Sequence, residues 1–126
     1  MPSITHIQIM LYVNDVPAMA TFWQHAVSAE VSNRQNMPDE SESVTLTILN
    51  QVDLCLFDQH FIQTTSPEVA LNSPSLLFQT SHFDVLYHQI RTVSPSTGAI
   101  SVHNQQRSFN FADPEGHYFA VSEIPS

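Results

Sequence analysis

The sequence predicts one α+β domain built from two similar βαβββ modules, and three observations support this fold class. The chain has 126 residues, the usual length of a single domain. Each half shows the same order of patterns: strand, helix, strand, strand, strand. Short turn signals separate the patterns. We therefore expect a single domain over residues 1–126, with module one at about 1–58, a connector at about 59–74 and module two at about 75–126.

Module one begins with an alternating pattern over residues 4–13, which predicts a strand. Asn14 or Asp15 is the expected N-cap of the helix that follows, and Pro17 suits its first turn because proline needs no N–H partner there. The apolar stripe predicts a helix over residues 16–27. Three further strands are expected near 29–35, 43–49 and 52–57.

Module two follows a connector with polar and proline character, in which at most a short turn of helix is expected. SLLFQT predicts a strand at 75–80, and the next apolar stripe predicts a helix from His82 to Val93. Pro95 and Gly98 interrupt the chain. The remaining strands are expected near 99–104, 107–112 and 117–123.

The charge balance excludes several classes of partner. The chain has three Lys and Arg residues together, twelve acidic residues and a net charge of −9. Nucleic acid and anionic membranes attract clustered cations, so neither is an expected partner. The acidic surface either serves solubility or weakly attracts cationic small molecules. The sequence contains no membrane-spanning run, and MPSITHIQIML does not resemble a signal peptide, so we expect a cytoplasmic protein.

The two faces of four predicted strands differ in character. One face is aliphatic or aromatic, as expected beneath a helix. The other mixes apolar rings with hydroxyl, amide and carboxylate groups, which is typical of a ligand cavity, although simple exposure to solvent is the alternative. For each aromatic residue the alternative is core packing. The expected lining residues are Gln8, Met10, Tyr12, Asp53, Cys55, Phe57, Ser75, Leu77, Phe109, Phe111, Tyr118 and Ala120.

Three segments together resemble a known superfamily. They are QIMLYVND (8–15), the FW pair (22–23) within the first helix, and FADPEGHYFAVSE (111–123). They resemble the vicinal oxygen chelate superfamily, which includes glyoxalase I, extradiol dioxygenases, fosfomycin-resistance enzymes and bleomycin-resistance proteins. The resemblance spans nearly the whole chain. It implies that the two modules form a cupped mixed sheet around one pocket, and that the protein is a homodimer.

The resemblance also implies where a metal would be bound. Metal-dependent members carry His or Gln, Glu, His and Glu on the first and fourth strands of the modules. The matching positions here are Gln8, Cys55, Ser75 and Ala120. Alanine supplies no donor, serine is a poor ligand and a neutral glutamine binds weakly, so this set is degenerate. We expect no cofactor, and a bound divalent metal is the disfavoured alternative.

The remaining titratable residues leave one other metal hypothesis. A centre made of His6, Cys55 and His117 is a minor alternative, although no paired metal-ligand spacing supports it. As the single cysteine, Cys55 also excludes an internal disulfide. Its apolar and acidic surroundings favour a buried thiol over a nucleophile, because no nearby cation lowers its pKa.

Three functions follow from these observations. The favoured one is a metal-free protein of the bleomycin-resistance type that binds a small amphiphilic or cationic molecule through aromatic faces and Asp53. The second is a metal-dependent lyase or dioxygenase of the same superfamily with an altered ligand set. The third is a structural or regulatory homodimer without a ligand. The sequence does not identify the ligand.

Overall fold

A computed structural model of the chain describes residues 3–124. It contains nine strands and three helices in these residues. Module one comprises β1 (Ile7–Val13), α1 (Val16–Ala26), β2 (Glu30–Asn36), β3 (Glu42–Leu49) and β4 (Val52–Asp58). The connector contains α2 (Gln59–Thr65). Module two comprises β5 (Leu77–Thr80), α3 (Phe83–Arg91), β6 (Ser96–Thr97), β7 (Ser101–His103), β8 (Gln106–Ala112) and β9 (Tyr118–Glu123).

Each module forms its own sheet, and the two sheets share one topology. The first has the strand order β1-β4-β3-β2, and the second has the order β5-β9-β8-β6 with β7 also paired to β8. The first strand of each module runs parallel to the last, whereas the other pairs are antiparallel. The predicted α+β class and the duplicated βαβββ plan are therefore confirmed.

The second strand of module two differs from its prediction. One strand was expected near 99–104, but the structure has two short strands, β6 and β7, on either side of Gly98. The Gly98 N–H donates to the carbonyl of Asn110 at 2.8 Å, which draws the backbone close to β8. A Cβ atom at Gly98 would lie 3.3 Å from that carbonyl oxygen, so glycine is favoured at this bend.

Local side-chain bonds fix the starts of two helices. The Asp15 side chain accepts a hydrogen bond from the Ala18 N–H at 3.0 Å, so Asp15 rather than Asn14 is the N-cap of α1. In the connector, Asp58 accepts from the N–H groups of His60 and Phe61 and starts α2. The cap of α3 is His82, whose side chain makes no capping bond.

The helix α1 packs between the two modules. Trp23 is fully buried, and its ring contacts Phe78, Phe111 and Phe119 of module two at centroid distances of 5.3–6.1 Å. The same helix buries Met19 and Ala20 in one continuous core with strands β3 and β4 of module one. The Trp23 Nε1–H has no hydrogen-bond partner among the described residues. Packing alone therefore favours its burial, and truncating such an aromatic side chain typically costs about 3–5 kcal/mol.

Polar bonds join the modules at both ends of α1. Near its start, the Glu115 carboxylate in the β8–β9 turn accepts from the N–H groups of Asn14 and Asp15 at 2.8–3.0 Å. Near its end, the Gln89 amide on α3 donates to the His25 carbonyl and the Ser28 hydroxyl, both at 2.9 Å. These bonds orient the two modules relative to the shared helix.

A salt bridge network ties α3 to its sheet. Arg107 lies over the Phe83 ring and donates to the carboxylates of Asp84 and Glu123. These hydrogen bonds lower the pKa of both carboxyl groups below their usual values. Because the depressed values belong to the folded state, the stabilisation is present at neutral pH and is lost as the pH falls through them.

The Asp-Pro-Glu-Gly turn between β8 and β9 is organised by one buried carboxylate. Asp113 is fully buried, and its Oδ1 accepts from the N–H groups of Glu115 and His117, both at 2.9 Å. Its Oδ2 lies 2.8 Å from Nδ1 of His117. Gly116 has a φ of 85°, which suits glycine. Across residues 3–124, none of the helices has the length and hydropathy needed to cross a membrane.

We predict that Asp113→Ala destabilises the fold by about 2–4 kcal/mol, because it removes a fully buried carboxylate and leaves two part-buried N–H groups without their acceptor. Urea unfolding followed by circular dichroism would measure the loss. Glu68→Ala, which removes an exposed carboxylate from the connector, is the matched control and should change stability little. Equal effects from the two variants would contradict the role assigned to the turn.

Candidate functional site

The candidate site consists of the two sheet faces that lie opposite the buried core. On β1, β3 and β4 the core residues alternate with a second set, here named the module-one face: Gln8, Met10, Tyr12, Thr45, Thr47, Asp53, Cys55 and Phe57. On β5, β8 and β9 the equivalent set is named the module-two face: Leu77, Gln79, Ser108, Asn110, Tyr118, Ala120 and Ser122. Because α1 occupies the apolar sides of both sheets, both polar faces point away from the core.

Asp53 is the main charged group of the module-one face. It is 8% exposed, and its Oδ2 accepts a hydrogen bond from the Nε2–H of His6 at 2.8 Å. Its Oδ1 accepts from the Thr47 hydroxyl at 3.2 Å. The His6 hydrogen bond lowers the pKa of the Asp53 carboxyl, against the opposing effect of burial, and Thr47 and Gln8 assist. Asp53 is therefore an oriented carboxylate at neutral pH.

Cross-strand pairing aligns a second carboxylate with Asp53. Glu30 pairs with Thr47, and Thr47 in turn pairs with Asp53. Directly paired residues share a face, so Glu30 and Asp53 lie on the same side of the sheet, about 10 Å apart across two strand spacings. This row places two carboxylates on the same side of the module-one sheet.

Cys55 lies beside Asp53 on the same face. It is 4% exposed, and the Thr45 hydroxyl lies 3.7 Å from its Sγ atom. Burial raises the pKa of the Cys55 thiol, and the neighbouring Asp53 acts in the same direction. A protonated thiol is a poor nucleophile and a poor metal ligand, so the structure favours a neutral wall residue here.

The four positions implied for a metal do not fit one. Gln8 and Cys55 lie on the module-one face, whereas Ala120 lies on the module-two face, paired with Leu77. Ser75 is exposed and precedes β5. A neutral amide, a protonated thiol, a hydroxyl and a methyl group do not make an octahedral site. Within residues 3–124, no three His, Cys, Asp or Glu side chains are placed to hold a metal ion.

The alternative centre of His6, Cys55 and His117 is not assembled either. His6 is bonded to Asp53, and His117 is bonded to Asp113 in the β8–β9 turn. These two histidines therefore belong to different polar clusters. The spacing along the chain did not reveal this, because each partner is specified by tertiary contact or by turn geometry.

The structure corrects two of the predicted lining residues. Phe109 and Phe111 are 2% and 0% exposed, and they pack in the core rather than in a cavity. The register pairs them with Val121 and Phe119, whose side chains already face the core. The residues that alternate with them along β8, Ser108 and Asn110, lie on the candidate face instead. The prediction chose the wrong face of β8 because it favoured aromatic side chains over strand register.

The other predicted lining residues lie on two sheets. Gln8, Met10, Tyr12, Asp53, Cys55 and Phe57 lie on the module-one face, and Leu77, Tyr118 and Ala120 lie on the module-two face. No strand pairing within residues 3–124 joins β1 to β5. One chain therefore presents two separate faces. Sequence reasoning missed the hydroxyl groups of Thr45, Thr47 and Ser108, which cross-strand register would have identified. It placed Ser122 on this face of β9 but did not include it among the lining residues.

Two concavities lie on the surface near these faces. The smaller, about 320 Å³, lies on module two and is lined by Leu77, Gln79, His103, Gln106, Ser108, Ala120 and Ser122. The larger, about 670 Å³, lies between the β3–β4 turn, β5 and α3. Its apolar lining includes Leu49, Leu77, Val85 and Ile124, all of them exposed, and it contains no carboxylate. This concavity is therefore mainly an apolar contact surface and has no acidic group that could act on a ligand.

Comparisons with known proteins identify the fold. No protein-family model and no curated protein sequence matches the chain. TnmS3, described as an antibiotic binding protein from Streptomyces sp. CB03234, superposes with a TM-score of 0.77 at 16% identity, over 99% of this chain and 100% of that chain. A glyoxalase family protein from Enterococcus faecalis gives a TM-score of 0.69 at 21% identity, over 96% and 97% of the two chains.

A third solved structure has the same fold. A glyoxylase/bleomycin resistance protein/dioxygenase domain from Frankia sp. EAN1pec gives a TM-score of 0.69 at 12% identity, over 100% of this chain and 94% of that chain. Identities this low show the fold alone. The chain therefore has the glyoxalase/bleomycin-resistance fold, which is the fold that the sequence resemblance implied.

Proposed function

We propose that this chain is a cytoplasmic, metal-free binding protein for a small amphiphilic molecule that carries a positive charge. The observation that carries the proposal is Asp53, an ionised carboxylate held in place by His6 and Thr47 on a face that also presents Met10, Tyr12 and Phe57. A carboxylate beside aromatic rings suits a cationic ligand with an apolar body. The antibiotic binding described for TnmS3 is consistent with this class of ligand.

The charge of the whole chain supports the same ligand class. A net charge of −9 attracts cations over long range, and Glu30 adds a carboxylate to the row that contains Asp53. An anionic ligand would meet two carboxylates on this face without a compensating arginine among its defining residues. These two carboxylates would therefore favour a cationic ligand over an anionic one.

We further propose that two copies complete the site. Each face belongs to a sheet with a free edge strand, β1 in one module and β5 in the other. Large apolar side chains on these edges are exposed, including Ile7 and Met10 on β1 and Leu77 on β5. A homodimer that brings β1 of one copy beside β5 of another would cover these edges and close a cup between unlike faces.

The first prediction concerns cation selectivity. Berberine, a planar fluorescent cation, should bind, and 8-anilinonaphthalene-1-sulfonate, an aromatic anion, should bind at least tenfold more weakly. Asp53→Asn should weaken berberine binding by about tenfold, because it removes the oriented charge. Fluorescence titration measures both effects. Asp39→Asn, with the same charge change in an exposed loop, is the matched control. Equal effects of the two substitutions would refute the role of Asp53.

The second prediction separates binding from metal-dependent lyase or dioxygenase chemistry. After chelator treatment, addition of Ni²⁺, Mn²⁺, Fe²⁺ or Zn²⁺ should give no stoichiometric binding by calorimetry. The physical reason is that Ala120 and Ser75 supply no strong donor where the fold would require one. Ala120→Glu is an informative comparison because it adds a carboxylate at that position. Tight one-to-one metal binding by the wild-type chain would overturn the metal-free proposal.

The third prediction concerns assembly. Sedimentation equilibrium should report twice the 14.2 kDa chain mass. Leu77→Asp should shift the protein toward monomer by placing a charge at the β5 edge, whereas Val102→Asp on β7 should not. Both wild-type residues are exposed, so the pair is matched for burial. A monomeric wild-type protein, or equal dissociation by both variants, would contradict the shared cup. A dimer that binds no probe would favour the structural or regulatory alternative.

A further inference from the structure

We propose that the module-two face is a subsite for a neutral, hydroxyl-rich group such as a sugar ring. This subsite rests on the proposed function, in which the module-two face forms one wall of the ligand site. The module-two face would bind by neutral hydrogen bonds, whereas the module-one face would bind a cation through Asp53. Three features support the subsite: a buried hydroxyl without a partner among the described residues, a row of neutral hydrogen-bonding side chains, and a small cavity that they line.

The buried hydroxyl belongs to Ser122 on β9. Ser122 is 5% exposed, and its Oγ has no hydrogen-bond partner among the described residues. Burying an unpaired hydroxyl is unfavourable. Alanine would fill almost the same space without this penalty. Trp23 Nε1 and Thr97 Oγ1 also have no partner among the described residues, but of the three only Ser122 lines the cavity on module two. A rotation about its χ1 bond would turn the buried hydroxyl toward a ligand in that cavity.

Ser122 belongs to a row of polar side chains that lie side by side across neighbouring strands. Ser122 pairs with Gln79 on β5 and with Ser108 on β8, and Ser108 pairs with Ser101 on β7. Directly paired residues share one face, so these side chains run across four strands. Amide and hydroxyl groups both donate and accept hydrogen bonds, as sugar hydroxyls do. The row is therefore complementary to a polyol.

The cavity has the size and charge that a single sugar ring requires. Its volume is about 320 Å³, at the lower end of the usual range for ligand pockets. Its lining contains neither a carboxylate nor an arginine, so an ionic ligand would find no fixed counter-charge there. Leu77 and Ala120 provide an apolar patch for the C–H side of a ring, and His103 and Gln106 close the opposite end.

The neighbouring charges do not alter this assignment. Arg107 and Glu123 lie in sequence beside Ser108 and Ser122, but alternation turns them to the other side of the sheet, where they bond to each other. Charge is thus concentrated on the module-one face, and the module-two face stays neutral. A ligand that spans both faces would carry its cation at Asp53 and its hydroxyl-bearing part at Ser122.

Nuclear magnetic resonance of the ¹⁵N-labelled full chain would test the subsite. Methyl β-D-glucopyranoside should shift the amide signals of Gln79, Ser108 and Ser122 saturably, with a Kd of about 1–50 mM. Sodium acetate and tetramethylammonium chloride at the same concentrations should not shift these signals. Ser122→Ala should weaken glucoside binding at least fivefold, whereas Ser81→Ala, an exposed serine of the same module, should leave it unchanged. Absence of saturable shifts at these residues would overturn the proposal.

Thermal unfolding provides a second, independent readout. Because the Ser122 hydroxyl has no partner, Ser122→Ala should leave the Tm unchanged or raise it by about 1–4 °C. A clearly lower Tm would show that the hydroxyl has a structural partner, and this would also refute the subsite. Berberine binding by Ser122→Ala should persist. Loss of glucoside binding with retained berberine binding thus separates this inference from the cation site at Asp53.

Discussion

The packing of α1 against both sheets is the constraint on which the rest of the structure depends. Trp23, fully buried among aromatic rings of module two, fixes the helix of module one to the sheet of its neighbour. Close packing of these rings leaves the indole N–H without a hydrogen-bond partner among residues 3–124, which indicates that apolar contact dominates at this point. Because the apolar faces of both sheets pack against the core around α1, the polar faces of the sheets must point outward.

This outward orientation determines how chemistry is distributed. The module-one face carries an oriented carboxylate among aromatic and sulfur-containing side chains, whereas the module-two face carries neutral hydroxyl and amide groups. A metal centre would need donors from several strands to converge, and the described residues contain no such group. The two sheets of one chain therefore present unlike polar faces.

The β8–β9 turn shows how a short motif stabilises the fold rather than the chemistry. Asp113 organises the turn, and Glu115 accepts from the N–H groups of Asn14 and Asp15 just before α1 of the other module. The turn thus joins the two modules. Seven residues after Asp113, Ala120 pairs with Leu77 on β5 and lies on the module-two face.

The sequence by itself determined the α+β class and the duplicated βαβββ plan, because alternation, helix periodicity and turn residues are local signals. It also identified Asp53 and Ala120 as facing away from the core. Only the tertiary structure decided that Phe109 and Phe111 belong to the core, since register with Phe119 and Val121 sets the face of β8. It alone paired His6 with Asp53 and left the Ser122 hydroxyl without a partner in the described part of the chain, because such contacts join residues distant in sequence.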